Sequence, residues 1–422
     1  MTRLVLVVLA CVVGNTARAD CTILVSRDAD APGTVMTPEG RAEGAAVVVD
    51  GARIVAVGDP GELEITAAGE GVQWRGQTCA EVDISGRLVT PGFVAVATQI
   101  GVMEISMEPA TVDAAGEDDR IRAALRVVDA YDPRSTLIPV TRIAGVTSSV
   151  VLPAGGVVSG QAGWVDLAGA RQEDQVQDPS VAMVASIDGA SRAEGLLRLR
   201  EVLDDARYYG RNRAAFDQNR SRSLAASRLD LEALQPVVRG EVPLAVYADR
   251  AADIEALVRF GKEEEIRIVL FGGAEAWMVA EALAEADVPV VVDPFVYGPG
   301  SFDEVHARGD NPALLAAAGV TVLLTRGSSH NARLVPQLAG NAVRGGMAWE
   351  DALAAVTSAP AEVFGMPDHG VIRAGAWANL VVWGDLDGKA VDPFELSSTV
   401  AGLWIHGRAI PLESRQTELF ER

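Results

Sequence analysis

The sequence predicts an α/β protein: a (β/α)8, TIM-like barrel joined to a small β-sandwich domain built from both chain termini. Three observations predict it. Short strand-like runs crowd both ends of the chain. Through the long middle, apolar strand-like runs alternate with helical patterns, the signature of parallel strands with crossover helices. The length of 422 residues exceeds the usual single domain but suits one large barrel with a small module.

The first nineteen residues read as a signal peptide. Arg3 supplies a positive start, residues 4–13 are an unbroken apolar run, and Ala17-Arg18-Ala19 matches the small-x-small cleavage pattern, so the mature chain is expected to begin at Asp20. The apolar run is shorter than the roughly 20 residues of a permanent span. No later stretch reaches that length without charges, so no stable membrane span is expected. Cys11 follows Val8-Leu9-Ala10, a faint lipoprotein pattern that comes too early in the run. The expected destination is the periplasm or the extracellular space. Two cysteines remain after cleavage, Cys21 and Cys79, and an oxidising compartment makes them a candidate disulfide. Closing that loop would contribute about 4 kcal/mol through chain entropy. Two buried free thiols are the alternative.

Strand patterns then follow at 22–26, 45–50, 53–57 and 81–84, with Asp50-Gly51 as a hairpin signal and Ser85-Gly86 as a break. The barrel region carries strand-like runs at 93–97, 147–152, 182–187, 243–247, 266–271, 288–292 and 320–325. Helical patterns occupy 193–211, 251–264, 274–286, 311–318 and 349–356. Residues 211–227, rich in Arg, Asn, Ser and Ala, read as a mobile loop or helical excursion, with plain solvated surface the preferred alternative. Strand character returns at 379–383 and 402–405, with His406-Gly407 as a turn. The expected division is 1–19 as signal peptide, 20–90 with 368–422 as the composite sandwich, and 91–367 as the barrel.

Composition agrees with this plan and removes some functions. Hydrophobic residues make up 49% and aromatics only 5%, so the core is aliphatic, as covered parallel strands require. The 42 glycines fit many turns. A formal charge of −22 repels phosphates, so neither nucleic acid nor an anionic lipid surface is an expected partner. The plain reading of that charge is solubility.

Four segments carry a family resemblance. Residues 47–58 (Val-Val-Val-Asp-Gly-Ala-Arg-Ile-Val-Ala-Val-Gly) are similar to the N-terminal hairpin of the amidohydrolase superfamily. Residues 86–94 (Gly-Arg-Leu-Val-Thr-Pro-Gly-Phe-Val) resemble its lead into the first barrel strand. Residues 357–365 (Thr-Ser-Ala-Pro-Ala-Glu-Val-Phe-Gly) resemble its last barrel helix, and residues 370–383 its return to the sheet domain. Ala144–Thr147 and the Gly-rich 155–161 add fainter likeness. The order and spacing are those of the family, and the branch resembled most is the secreted imidazolonepropionase-like and prolidase-like one.

The resemblance implies a metal-dependent hydrolase of C–N bonds. A divalent ion, zinc or another, would activate water and polarise the scissile carbonyl at the C-terminal end of the barrel. Here the implied ligand positions hold Ala97 and Gln99, Val184, Tyr247, Gly272 and Gly327. None is a good ligand for such an ion. Among the four histidines, His306 reads as surface, His369 and His406 as ordinary turn residues of the sheet domain, and His330 as a loop residue near the barrel mouth. No Gly-x-Ser-x-Gly elbow or Walker loop is present. Residues 155–160 read as an anion cradle or as a flexible mouth loop. Gln99, Glu104, Tyr247, Asp249, Arg250, Arg326 and His330 are the candidate pocket residues; Asp249-Arg250 reads equally as a structural pair. No catalytic role is assigned and no cofactor is expected. The expected protein is an exported, metal-free, non-catalytic homologue that binds a small polar or peptide-like ligand, or partners an active amidohydrolase paralogue or a second copy. The alternative is an active hydrolase of amide C–N bonds with an unorthodox site. A purely structural envelope protein is a third possibility.

Overall fold

The computed structural model describes residues 21–422 apart from 69–70, 116–120, 188–190, 386–390 and 421. The expected signal segment and its cleavage site lie outside the described residues. Nine strands come first: β1 (Cys21–Val25), β2 (Thr34–Thr37), β3 (Gly40–Glu43), β4 (Ala46–Asp50), β5 (Arg53–Gly58), β6 (Thr66–Ala68), β7 (Gly71–Trp74), β8 (Gln77–Asp83) and β9 (Leu88–Pro91). Eight barrel strands follow: β10 (Phe93–Thr98), β11 (Val146–Val151), β12 (Val158–Asp166), β13 (Val176–Ser186), β14 (Leu244–Ala248), β15 (Ile268–Gly272), β16 (Val290–Val292) and β17 (Val322–Leu324). The chain ends with β18 (Leu380–Asp385), β19 (Ser398–Ile405), β20 (Arg408–Ala409) and a short helix, Arg415–Phe420.

The terminal strands form two six-stranded sheets, β5-β4-β1-β8-β7-β6 and β20-β19-β18-β9-β2-β3. The second sheet draws strands from both ends of the chain, with β18 pairing β9 antiparallel. Period-two side-chain alternation between two buried faces explains why β4 is apolar up to its exposed last residue, Asp50. Val47 and Val49 enter the core between the two sheets, with Ile54, Val89, Leu380 and Val382. Ala46 and Val48 face the other way, against Val72, Trp74, Cys21 and Cys79. Asp50 and Arg53 pair across the hairpin, and Gly51 at φ +56 makes the turn that a side chain would strain.

The barrel sheet runs β10 to β17 in chain order. It is nearly closed, and the Thr325 hydroxyl donates to the Val96 carbonyl at 2.6 Å across the β17–β10 seam. Val94, Val96, Val150, Val184, Val269, Phe271 and Val291 fill the interior. Phe93, Ala95, Val246, Leu270 and Val292 face outward to the helices. Residues 211–227 prove to be helical in their first part, because helical backbone runs over Arg192–Asp217 with a kink at Asn212, where φ is −124 and ψ is 24. Arg222 then folds back over the Tyr208 ring at 4.6 Å and pairs with Asp205.

One strand departs from the alternating plan. β12 is antiparallel to both β11 and β13. The link from Val151 to Val158 is too short for a crossover helix, and a hairpin return is then the open route. The Gly-rich segment read as a cradle or loop is split by this arrangement. Gly155 and Gly156 lie in the link, while Val158–Gly160 already belong to β12. Because β12 runs backwards, it starts at the mouth and carries Asp166 to the barrel floor, beside Ser148 at the start of β11.

Cys21 and Cys79 are bonded, across neighbouring β1 and β8. The bond closes a loop with a sequence separation of 58 and is buried. Replacing both cysteines by serine is expected to lower the unfolding free energy by about 2–5 kcal/mol, read from the urea midpoint with and without reductant. A variant with an unchanged midpoint would show that the bond contributes nothing to stability.

Candidate functional site: the barrel mouth and the barrel floor

The strand ends at the mouth line a cavity of about 240 Å³. Ala97, Tyr247, Asp249, Gly272, Arg326 and Gly327 are among its walls, joined by Asp293, Glu304, Arg308 and Asn311. Gln99, Glu104, Arg250 and His330 are not among the residues that line it. The Glu104 carboxylate accepts from the Thr136 hydroxyl at 2.7 Å, in the long link after β10. Arg250 is exposed and faces Asp303 at 4.0 Å. His330 is exposed on the short 3₁₀ helix Ser329–Leu334. The mouth thus brings together three of the seven expected pocket residues, Tyr247, Asp249 and Arg326, with Asp293 and Arg308, which the motif reading passed over. Asp293 directly follows β16, and a charged residue ending an apolar strand run is the signal that could have found it.

Tyr247 lies on Phe271, with ring centroids 5.2 Å apart. Tyr247 is 37% exposed, yet desolvation by the surrounding walls pushes its pKa up to about 12, so it is a neutral hydrogen-bond donor at physiological pH. Asp249 accepts from the Ala274 N–H at 3.1 Å. The Arg326 guanidinium pairs with Asp293 and sits 5.0 Å from the centre of the Phe295 ring. The cavity therefore presents both signs of charge over an apolar base.

The implied metal-ligand positions are shaped as well as substituted. A Cβ at Gly272, where φ is +92, would stand 2.6 Å from the Asp249 Oδ1, so the carboxylate occupies the space a ligand side chain would need. Ala97 takes a left-handed φ of +59 at an irregularity in the β10–β11 register. Val184 is buried inside the barrel at 1% exposure. At Gly327 the space around a Cβ is open, at a φ of +60.

A second polar cluster lies at the opposite end, where the barrel floor meets the terminal sheets. Asp166 is fully buried. Its Oδ1 accepts from the Ser148 hydroxyl at 2.6 Å and from the Trp164 indole N–H at 3.1 Å. Its Oδ2 meets the Nε2 atoms of His369 at 2.9 Å and His406 at 2.6 Å. Burial pushes the carboxyl pKa up, but the hydrogen bonds from both histidines outweigh it, and it stays well below the usual carboxylate range. The reading of His369 and His406 as ordinary turn residues is therefore corrected: His369 is 2% exposed, and both hold a carboxylate from the barrel. Their partner lies 203 and 240 positions away in sequence, which no local pattern reveals. The available hint was Asp166 itself, an acid inside the apolar run Ala162–Ala168, since a buried acid needs partners. Among the described residues, Asp166, His369 and His406 are the one group of three whose donor atoms lie close enough to hold a metal ion, all within 4.8 Å of one another.

The fold agrees with comparisons to known proteins. A family model described as "Amidohydrolase family" matches residues 318–411. The amidohydrolase tasK of Hapsidospora irregularis is 26% identical over 369 residues, which is 78% of this chain and 37% of that protein. The chain thus spans well under half the length of this curated relative. The solved structure of an amidohydrolase from Thermotoga maritima MSB8 superposes with a TM-score of 0.77 at 22% identity, over 92% of this chain and 99% of that one. The chain is similar to the amidohydrolase family in its C-terminal quarter and in its fold. A prolidase solved with N-methylphosphonate-L-proline has the same fold at a TM-score of 0.55 and 17% identity, over 92% and 99% of the two chains. Molinate hydrolase does so at 0.56 and 14%, over 93% and 95%.

Two outcomes test this geometry. Asp166→Asn places an amide N–H₂ against donors and is expected to cost about 3–5 kcal/mol of unfolding free energy. His406→Asn leaves the carboxylate three donors, retains a residue tolerant of the left-handed φ of +50, and is expected to cost about 1–2 kcal/mol. Urea denaturation of both variants checks the ordering; equal losses would contradict it. Gly272→Ala is expected to lower stability by about 1–3 kcal/mol through its close approach to Asp249 and its φ.

Proposed function

We propose that this is an exported amidohydrolase-superfamily protein whose barrel mouth binds a small peptide-like ligand without hydrolysing it. One observation carries the reading: a ligand seat at the mouth, Gly272, is filled by the Asp249 carboxylate, while the neighbouring positions hold Ala97, Tyr247 and Gly327. Hydrolysis by the family's chemistry needs an ion held at this end of the barrel. The mouth offers other tools. Arg308 and Arg326 can take a carboxylate, Asp293 and Glu304 an ammonium, and the Tyr247 hydroxyl a carbonyl oxygen. Opposite charges across a cavity of about 240 Å³ suit a zwitterion of about dipeptide size. The prolidase structure with a proline phosphonate supports the ligand class by analogy. The disulfide, together with the signal-like N-terminus, supports export to the periplasm or beyond.

A partner role has a separate observation behind it. Met278, Tyr297, Phe302 and Val305, on links that follow β15 and β16 around the mouth, are 47%, 54%, 94% and 50% exposed. This rim would dock on an active paralogue or a second copy.

Calorimetric titration with a dipeptide panel, Xaa-Pro included, tests the first reading. Saturable binding without product release is expected, and Arg326→Gln should weaken it about ten- to hundredfold through the lost charged hydrogen bond. Turnover that persists in chelator would establish the alternative, a hydrolase with an unorthodox site. No binding across the panel, by folded protein that runs as a lone monomer, would remove both the ligand and the partner readings.

A further inference from the structure

The geometry points to a divalent transition-metal site at the seam between barrel floor and terminal sheets, formed by Asp166, His369 and His406. The three residues come from three separate elements: the end of β12, the link before β18, and the β19–β20 turn. Their donors are one carboxylate oxygen and two imidazole nitrogens, a set that suits zinc, cobalt, nickel or copper rather than magnesium or calcium. Ser148 and Trp164 engage Oδ1 and so aim Oδ2 at both histidines. Orientation of a ligand by such outer contacts is what metal sites require.

Without the ion, each Nε2 shares a proton with Oδ2. Binding moves that proton to Nδ1 and leaves the Nε2 lone pair for the metal. The shift breaks no contact at His369, whose Nδ1 is buried without a hydrogen-bond partner. The indole rings of Trp164 and Trp377, with centroids 5.2 and 6.1 Å from the imidazole, are the neighbours left to face the new N–H. Bonds of about 2.0–2.1 Å in a tetrahedron set donors about 3.3 Å apart. The present separations of 2.9 and 2.6 Å must therefore open by roughly half an ångström. His406 has room to give: its side chain is 17% exposed and lines a cavity of about 620 Å³ shared with Ala52, Asp174, Trp404 and Arg408. Through His406 this cavity is the side from which the ion, with a water as fourth ligand, would reach the site. This site stands at the opposite end of the barrel from the mouth and does not depend on what the mouth binds.

The test titrates the full mature chain with Co²⁺ and follows its d–d absorption, then displaces it with Zn²⁺. One equivalent, an intense low-coordinate spectrum, and a raised melting temperature are expected. His406→Asn should abolish the spectrum and weaken binding at least about tenfold, while Asp293→Asn at the mouth leaves both unchanged. X-ray absorption of the zinc-loaded wild-type chain, which needs no variant to fold, should count two imidazoles. Absence of stoichiometric binding, fewer than two imidazoles, or loss of binding in Asp293→Asn but not in folded His406→Asn would overturn the assignment.

Discussion

Asp166 places a negative charge where no water reaches it, and the junction between the two halves of the molecule is organised around that charge. Isolated, a buried carboxylate would be protonated or would unfold its surroundings. Here four donors converge on it, two from the barrel and two from the C-terminal sheet region. The barrel therefore cannot separate from the terminal sheets without stranding the charge. The surroundings reinforce the same seam: Trp377 lies 4.4 Å from the His406 ring and under the Arg53 guanidinium at 3.7 Å, while Arg53 also pairs with Asp368.

This dependence follows from one reversal of direction. Had β12 run parallel to its neighbours, Asp166 would stand at the mouth with the other strand ends. The hairpin from β11 sends it to the floor instead. The result is a barrel with its polar resources divided. The mouth keeps acids, arginines and a phenol but no close set of metal donors among the described residues. The floor holds two of the chain's four histidines on one carboxylate. Likeness to amidohydrolases therefore says more about the scaffold than about where chemistry would occur in this chain.

Much of the architecture was legible in the sequence. The β4–β5 hairpin was readable because Asp50-Gly51 sits between two alternating apolar runs, and period-two patterns are local. Seven of the barrel strands were readable as apolar runs between helical patterns. β12 was not, because Gly155, Gly156 and Gly160 make its start resemble a loop, and its direction depends on the length of a link rather than on its residues. The disulfide was legible as a pair of cysteines in a β-rich segment, but its formation required β1 and β8 to be neighbours.

At the mouth, the residue types at the strand ends could be read directly, since Ala97, Gly272 and Gly327 carry no ligating atom whatever the fold. Their surroundings could not: that Asp249 fills the space beside Gly272 is a fact of packing. The floor cluster shows the limit most clearly. Sequence alone determined that an acid lies inside an apolar strand and that two histidines fall near the C-terminal end. Only the tertiary structure decided that they meet, because hydrogen bonds between residues more than two hundred positions apart are set by how the sheets pack and leave no periodic trace in the chain.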